Sequence, residues 1–108
     1  MKLGRRARYI LAPAAQEDLV AIHDYYREEA GYRVARKMLA EFVAAFRLIA
    51  RSPGIGHKRE DLAESRPFLF WTMRDFLIVY RSGTTPLEIV MIVHGSRDVA
   101  RVISRSSF

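Results

Sequence analysis

The residues of this chain that could do chemistry are mostly cations, and they gather in its second half. Lys58, Arg59, Arg66, Arg74, Arg81 and Arg97 join His94 and the Tyr80 phenol in a set able to hold phosphates or carboxylates. Cleaving an RNA phosphodiester takes a base for the 2′-hydroxyl, a cation for the phosphorane charge and an acid for the leaving oxygen. Lys58, Arg59, Arg74, Arg81, His94 and Arg97, with Tyr80, contain those residue types. Whether the arginines converge depends on strand register, which the sequence leaves open. Other chemistries are poorly provided for. The chain has no cysteine, which excludes disulfides and thiolate metal sites and points to a reducing compartment. His23, His57 and His94 are far apart, with no carboxylate–histidine ligand spacing. There is no Gly-rich phosphate loop and no nucleophile elbow. No metal and no cofactor are expected.

Each of these residues also has a plainer reading. A single exposed arginine is usually just solvated. His94 can be a strand-end residue hydrogen-bonded to the following turn. Arg97 and Asp98 can form a local ion pair, worth little when exposed. Trp71 and Phe70 read as core or partner-packing residues ahead of base-stacking ones.

Positioning any such set falls to a small number of elements. Arg8-Tyr9-Ile10-Leu11-Ala12 reads as a short strand stopped by Pro13, which suits a helix start. Ala15, Leu19, Ile22 and Tyr26 then recur on one helical face, with Glu17 and Asp18 expected in the first turn. Gly31 ends that helix. A second follows at once, with Ala35, Met38, Leu39, Phe42, Phe46 and Ile49 on its apolar face, and Ser52-Pro53-Gly54-Ile55-Gly56 stops it. So short a junction predicts an antiparallel helical hairpin. His57 to Ser65 reads as loop. Phe68–Thr72, Phe76–Tyr80 and Leu87–His94 read as three strands joined by short spacers, hence an antiparallel meander. The expected fold is α+β in the order β-α-α-β-β-β, one sheet packed on two helices, in a single domain over residues 1–108.

In the expected strands both faces are apolar. Phe76, Ile78 and Tyr80 point one way, Leu77 and Val79 the other. One helical hairpin covers one face. Partner coverage is the favoured expectation for the second face, ahead of coverage by the chain's own Val99, Val102 and Ile103.

The net charge is +6, which suggests an anionic partner, either nucleic acid or an acidic protein segment. The charge is uneven. Residues 14–30 carry Glu17, Asp18, Asp24, Glu28 and Glu29 against Arg27, whereas residues 31–59 carry Arg33, Arg36, Lys37, Arg47, Arg51, Lys58 and Arg59 against Glu41. Mutual attraction of two adjacent helices accounts for the alternation, though not for the cations beyond Ile49. No signal peptide and no membrane-spanning run is expected, and the compartment read from this is the cytoplasm.

Several of these segments together resemble the RelE/ParE toxin superfamily, and within it the ParE branch. Residues Tyr9 to Leu19 resemble a family opening strand that runs into an A-x-x-D-L helix start, continued by Ile22, Tyr25, Tyr26 and Gly31. Pro53-Gly54-Ile55-Gly56 resembles the P-x-x-G break after the second helix. Arg66 and then Ile78-Val79-Tyr80-Arg81 resemble the central I-x-Y-R strand, and His94-Gly95-Ser96-Arg97-Asp98 the terminal H-G-x-R-D signature. The likeness runs from about residue 9 to residue 99. It implies the toxin of a type II toxin–antitoxin system, neutralised by a cognate antitoxin with an acidic amphipathic segment. ParE-type members inhibit DNA gyrase, and RelE-type members cut messenger RNA on the ribosome with sheet-face cations and a terminal Tyr or His. After Arg97 this chain offers neither Tyr nor His. The resemblance therefore favours a gyrase inhibitor with no catalytic residues. The alternative is a ribosome-dependent mRNA endonuclease using Arg74, Arg81, His94 and Arg97. In either case Lys58, Arg59, Arg66, Trp71, Arg74, Tyr80, Arg81, His94 and Arg97 are the expected partner- or target-binding residues.

Overall fold

A computed structural model describes residues 8–59, 61 and 67–105; Arg66 lies outside the described residues. The chain runs β1 (Tyr9–Leu11), α1 (Pro13–Ala30), α2 (Tyr32–Arg51), a 3-10 turn (Pro53–Ile55), β2 (Leu69–Met73), β3 (Phe76–Arg81), β4 (Leu87–His94) and α3 (Val99–Ser104). The α+β order is the expected one. The strands lie in the order β1-β4-β3-β2. β2, β3 and β4 form the antiparallel meander, and β1 joins it parallel to β4, which makes the sheet mixed.

Pro13 opens α1, where its missing N–H leaves no helical bond unmade. The helix starts early enough that Glu17 and Asp18 fall beyond its first turn, contrary to expectation. Gly31 alone separates α1 from α2, at φ 93°, in the left-handed region that favours glycine. α2 presses Met38, Phe42, Ala45, Phe46 and Ile49 against Phe76, Ile78, Tyr80, Leu87, Ile89 and Ile92 of the sheet. Each fully buried aromatic or branched side chain contributes about 1.5–3 kcal/mol of burial. Leu39, expected on this face, instead points outward with 36% exposure, and Ala45 takes a core place.

A β-bulge between Val79 and Tyr80 pairs Val79 with Met91 and Tyr80 with Ile89. Val90 is the extra residue, so Val90 and Met91 both serve the second face while Ile89 and Ile92 serve the first. On that second face Phe68, Phe70, Val79, Val90, Met91 and Val93 are buried together with Val99 and Ile103 of α3. The expectation that a partner covers this face is therefore corrected: the chain's own C-terminal helix packs there. Asp98 caps that helix by accepting a hydrogen bond from the Arg101 N–H at 3.2 Å.

Tyr80 ties the layers together. Its side chain is fully buried, its hydroxyl donates to the Pro53 carbonyl at 2.6 Å, and it accepts from the Gly56 N–H at 2.9 Å. Burial pushes the phenol above its ordinary value. A Cβ on Gly56 would stand 2.4 Å from that hydroxyl and 3.0 Å from the Phe70 carbonyl oxygen. Gly56→Ala is thus expected to cost about 1–3 kcal/mol through overpacking. Tyr80→Phe should cost about 1–3 kcal/mol by leaving the Gly56 N–H and Pro53 carbonyl unpaired. Urea unfolding checks both: the midpoint should fall at unchanged slope, and an unmoved midpoint contradicts the latch.

Candidate functional site

Strand register decides which cations meet. The β2–β3 hairpin turns at Arg74 and Asp75, with Arg74 at φ 53°. Phe76 pairs with His94 at the same end of the sheet, and the Gly95 N–H donates to the Asp75 carbonyl at 2.7 Å. Arg74, His94 and Ser96 accordingly border one shallow depression, of about 340 Å3. Arg97 follows in the next turn. Arg81 sits at the other end of β3, roughly 17 Å away by strand rise. The backbone bridge between His57 and Phe70 sets Lys58 and Arg59 alongside Leu69 and Phe68, hence at the Arg81 end. The described cations named from sequence therefore form two groups, not one stripe.

Most of them are already engaged. Arg74 makes a two-pronged ion pair with Glu41 of α2, its Nη2 donating at 2.8 Å, which holds the Glu41 carboxyl below its ordinary value. Arg59 is bound likewise to Asp61, at 3.1 and 2.9 Å. Arg81 pairs across strands with Glu88 at 3.1 Å and lies 5.1 Å from the Phe68 ring centroid. His94 Nδ1 accepts from the Ser96 N–H at 3.1 Å, and its ring meets Phe76 edge-on. This is the strand-end role that the plainer reading gave it. Trp71 is half-buried against the helix-facing core, and Tyr80 is inaccessible to any partner. Lys58 is exposed. Among the described residues no group of histidines and carboxylates could hold a metal ion, and no helix is long and apolar enough to cross a membrane.

Two features escaped the sequence. The first is Asp18. Because β1 ends at Leu11, the outer edge of β4 beyond Ile89 has no neighbouring strand among the described residues. Asp18 of α1 fills the gap, its Oδ2 accepting from the Ile92 N–H at 2.9 Å. It lines a cleft of about 300 Å3 with His94 and Arg97. Burial raises its pKa, against the opposing pull of the Ile92 hydrogen bond and of Arg97. The second is an open groove of about 520 Å3 on the outside of the helical hairpin, lined by Leu11, Gln16, Leu19, Val20, His23 and Leu39. Val20 is 60% exposed there. Its signal in the sequence was an apolar residue placed off the buried stripe of α1.

The comparisons with known proteins bear on this arrangement. The profile of the ParE toxin of type II toxin–antitoxin system, parDE, matches residues 9–99. The chain belongs to the ParE toxin family. Among solved structures, a chain described as the chromosomal ParDE TA system from P. aeruginosa superposes with a TM-score of 0.68. It is 21% identical, and the match covers 82% of this chain and 96% of that one. At that identity the likeness speaks for the fold. A comparison with curated proteins finds no match.

For this ParE-family chain the Asp18 site predicts a pH effect with a definite sign. A carboxyl whose folded pKa exceeds its unfolded value stabilises the fold when protonated, and that contribution is lost as pH rises through the folded pKa. Asp18→Asn keeps an oxygen for the Ile92 N–H and removes the charge. The variant should match or exceed the parent in thermal stability at neutral pH, with the gap closing toward pH 4. A variant less stable than the parent across that range contradicts this account.

Proposed function

We propose that this toxin arrests growth by binding DNA gyrase in the cytoplasm, without catalysis of its own. The observation that carries the reading is the division of Arg74, His94 and Arg97 from Arg81 by the length of β3. Phosphodiester cleavage needs its base, cation and acid within a few ångströms of one phosphate. Here Arg74 is occupied by Glu41, Arg81 by Glu88, and His94 Nδ1 by Ser96. Membership of the ParE family over residues 9–99 supports the same reading.

We further propose that the cognate antitoxin lays an acidic amphipathic segment into the groove of the helical hairpin. The groove is apolar and open, and Leu19, Val20 and Leu39 are spaced as anchors for a helix. The sealed second face of the sheet leaves this hairpin as the apolar surface best suited to a partner.

The test of the target is a supercoiling assay with purified gyrase and the full-length chain. Supercoiling should fall with added toxin and recover with antitoxin. Unchanged supercoiling at saturating toxin, with messenger RNA cut in the ribosomal A site, overturns the reading in favour of the nuclease. The test of the groove is Leu39→Glu, a change at an exposed position. It should weaken antitoxin capture at least tenfold while leaving gyrase inhibition intact; undiminished capture contradicts the groove assignment.

A further inference from the structure

α2 has a second face that the fold does not use. Arg33, Arg36, Lys37, Arg47 and Arg51 are all exposed, as are Ala40 and Ala44 between them. At 3.6 residues per turn these seven positions lie within an arc of about 100°, opposite the buried stripe of Met38, Phe42, Ala45 and Ile49. The acidic residues of α1 do not neutralise them. Ion pairs among the described residues are His23–Asp24, Arg59–Asp61, Arg74–Glu41 and Arg81–Glu88, none of which involves this ridge. Glu41, the one acid on α2, lies at the edge of the arc and is taken by Arg74. Arg36 lies over the Tyr32 ring, with its guanidinium carbon 5.7 Å from the centroid, and Lys37 adds a favourable charge near Glu41.

We propose that this ridge binds the phosphate backbone of duplex DNA, independently of sequence. Three observations favour DNA over an acidic protein segment. Arg33, Arg36 and Lys37 form one cluster and Arg47 and Arg51 another, on the order of 20 Å apart at 1.5 Å per residue. That separation lets the two clusters reach phosphates on both walls of a major groove about 12 Å wide. Between them stand only Ala40 and Ala44, which allow close approach and carry no group to read a base edge. The ridge is convex and has no apolar pocket, whereas protein partners are held by buried anchors. The apolar groove lies to one side of it, with Leu39 outside the arc.

This inference rests on the topoisomerase reading for its purpose, since gyrase acts on duplex DNA and the toxin would grip enzyme-bound DNA. The binding itself is measured without gyrase, so the two can fail separately. Fluorescence anisotropy with two labelled 20-base-pair duplexes of unrelated sequence is the experiment, using the purified full-length chain. Five phosphate contacts predict a loss of about 500-fold in affinity between 50 and 200 mM salt, equal for both duplexes. Arg47→Ala/Arg51→Ala, two changes to a good helix former on an exposed face, should weaken binding and reduce that salt effect to about 40-fold. Arg101→Ala/Arg105→Ala, off the ridge, should leave it unchanged. Absence of binding at 50 mM salt overturns the proposal, as does a salt effect equal in the ridge variant and the parent. Tighter binding of a poly-glutamate peptide than of either duplex also overturns it, in favour of an acidic protein partner.

Discussion

The rest of the structure depends on β3 and β4 being apolar on both faces. A layer of this kind cannot leave either side in water, because each exposed branched or aromatic residue would forfeit its burial. The helix-facing side is closed by Phe42, Phe46 and Ile49 of α2, with Ala15 of α1. The other side is closed by Val99 and Ile103, on a helix of only six residues whose start is fixed by Asp98. Tyr80, buried within this sheet, then fixes the path of the chain that leaves α2. With both faces of the sheet spoken for, the outside of the helical hairpin and the rims of the sheet are the surfaces left open.

That displacement orders the surface chemistry. Along the sheet, opposite charges are matched locally: Arg81 with Glu88, Arg74 with Glu41. Partly exposed pairs of this sort add modest stability, but they do settle side-chain positions and leave little charge over for a ligand. On α2 the reverse holds. None of its outward cations is in an ion pair among the described residues, and the groove beside them is open. An unpaired cationic ridge next to an open apolar groove is a surface that two different partners could use, one at a time or together.

Most of the fold could be read from the sequence, and the exceptions have physical causes. Element order followed from punctuation by Pro13, Gly31, Pro53 and Gly54, and the opposed faces of β3 from simple alternation. Sequence spacing put Leu39 on the buried stripe of α2, but packing against the sheet selected Ala45 instead. The bulge at Val79 and Tyr80 could not be read either, since a run of apolar residues in β4 looks the same with or without an extra one. The shortness of α3 and its Arg101 point to a partner on the second face, yet Val99 and Ile103 of the capped helix cover it. The candidate site was the least legible part. Residue types identified Arg74, Arg81, His94 and Arg97, but register separates them, and Asp18 gave no sign that it would complete the edge of β4. The family resemblance, carried by short segments in the right order, holds over residues 9–99.

The central claim is that partners meet the helical hairpin, with the second face of the sheet sealed by the chain itself. Hydrogen–deuterium exchange of the full-length toxin with and without its antitoxin tests this most directly. The account predicts new protection over residues 16–23 and 34–44, with residues 68–79 and 99–104 already protected in the free toxin. Rapid exchange of 99–104 in the free chain, with new protection confined to the strands, would contradict it.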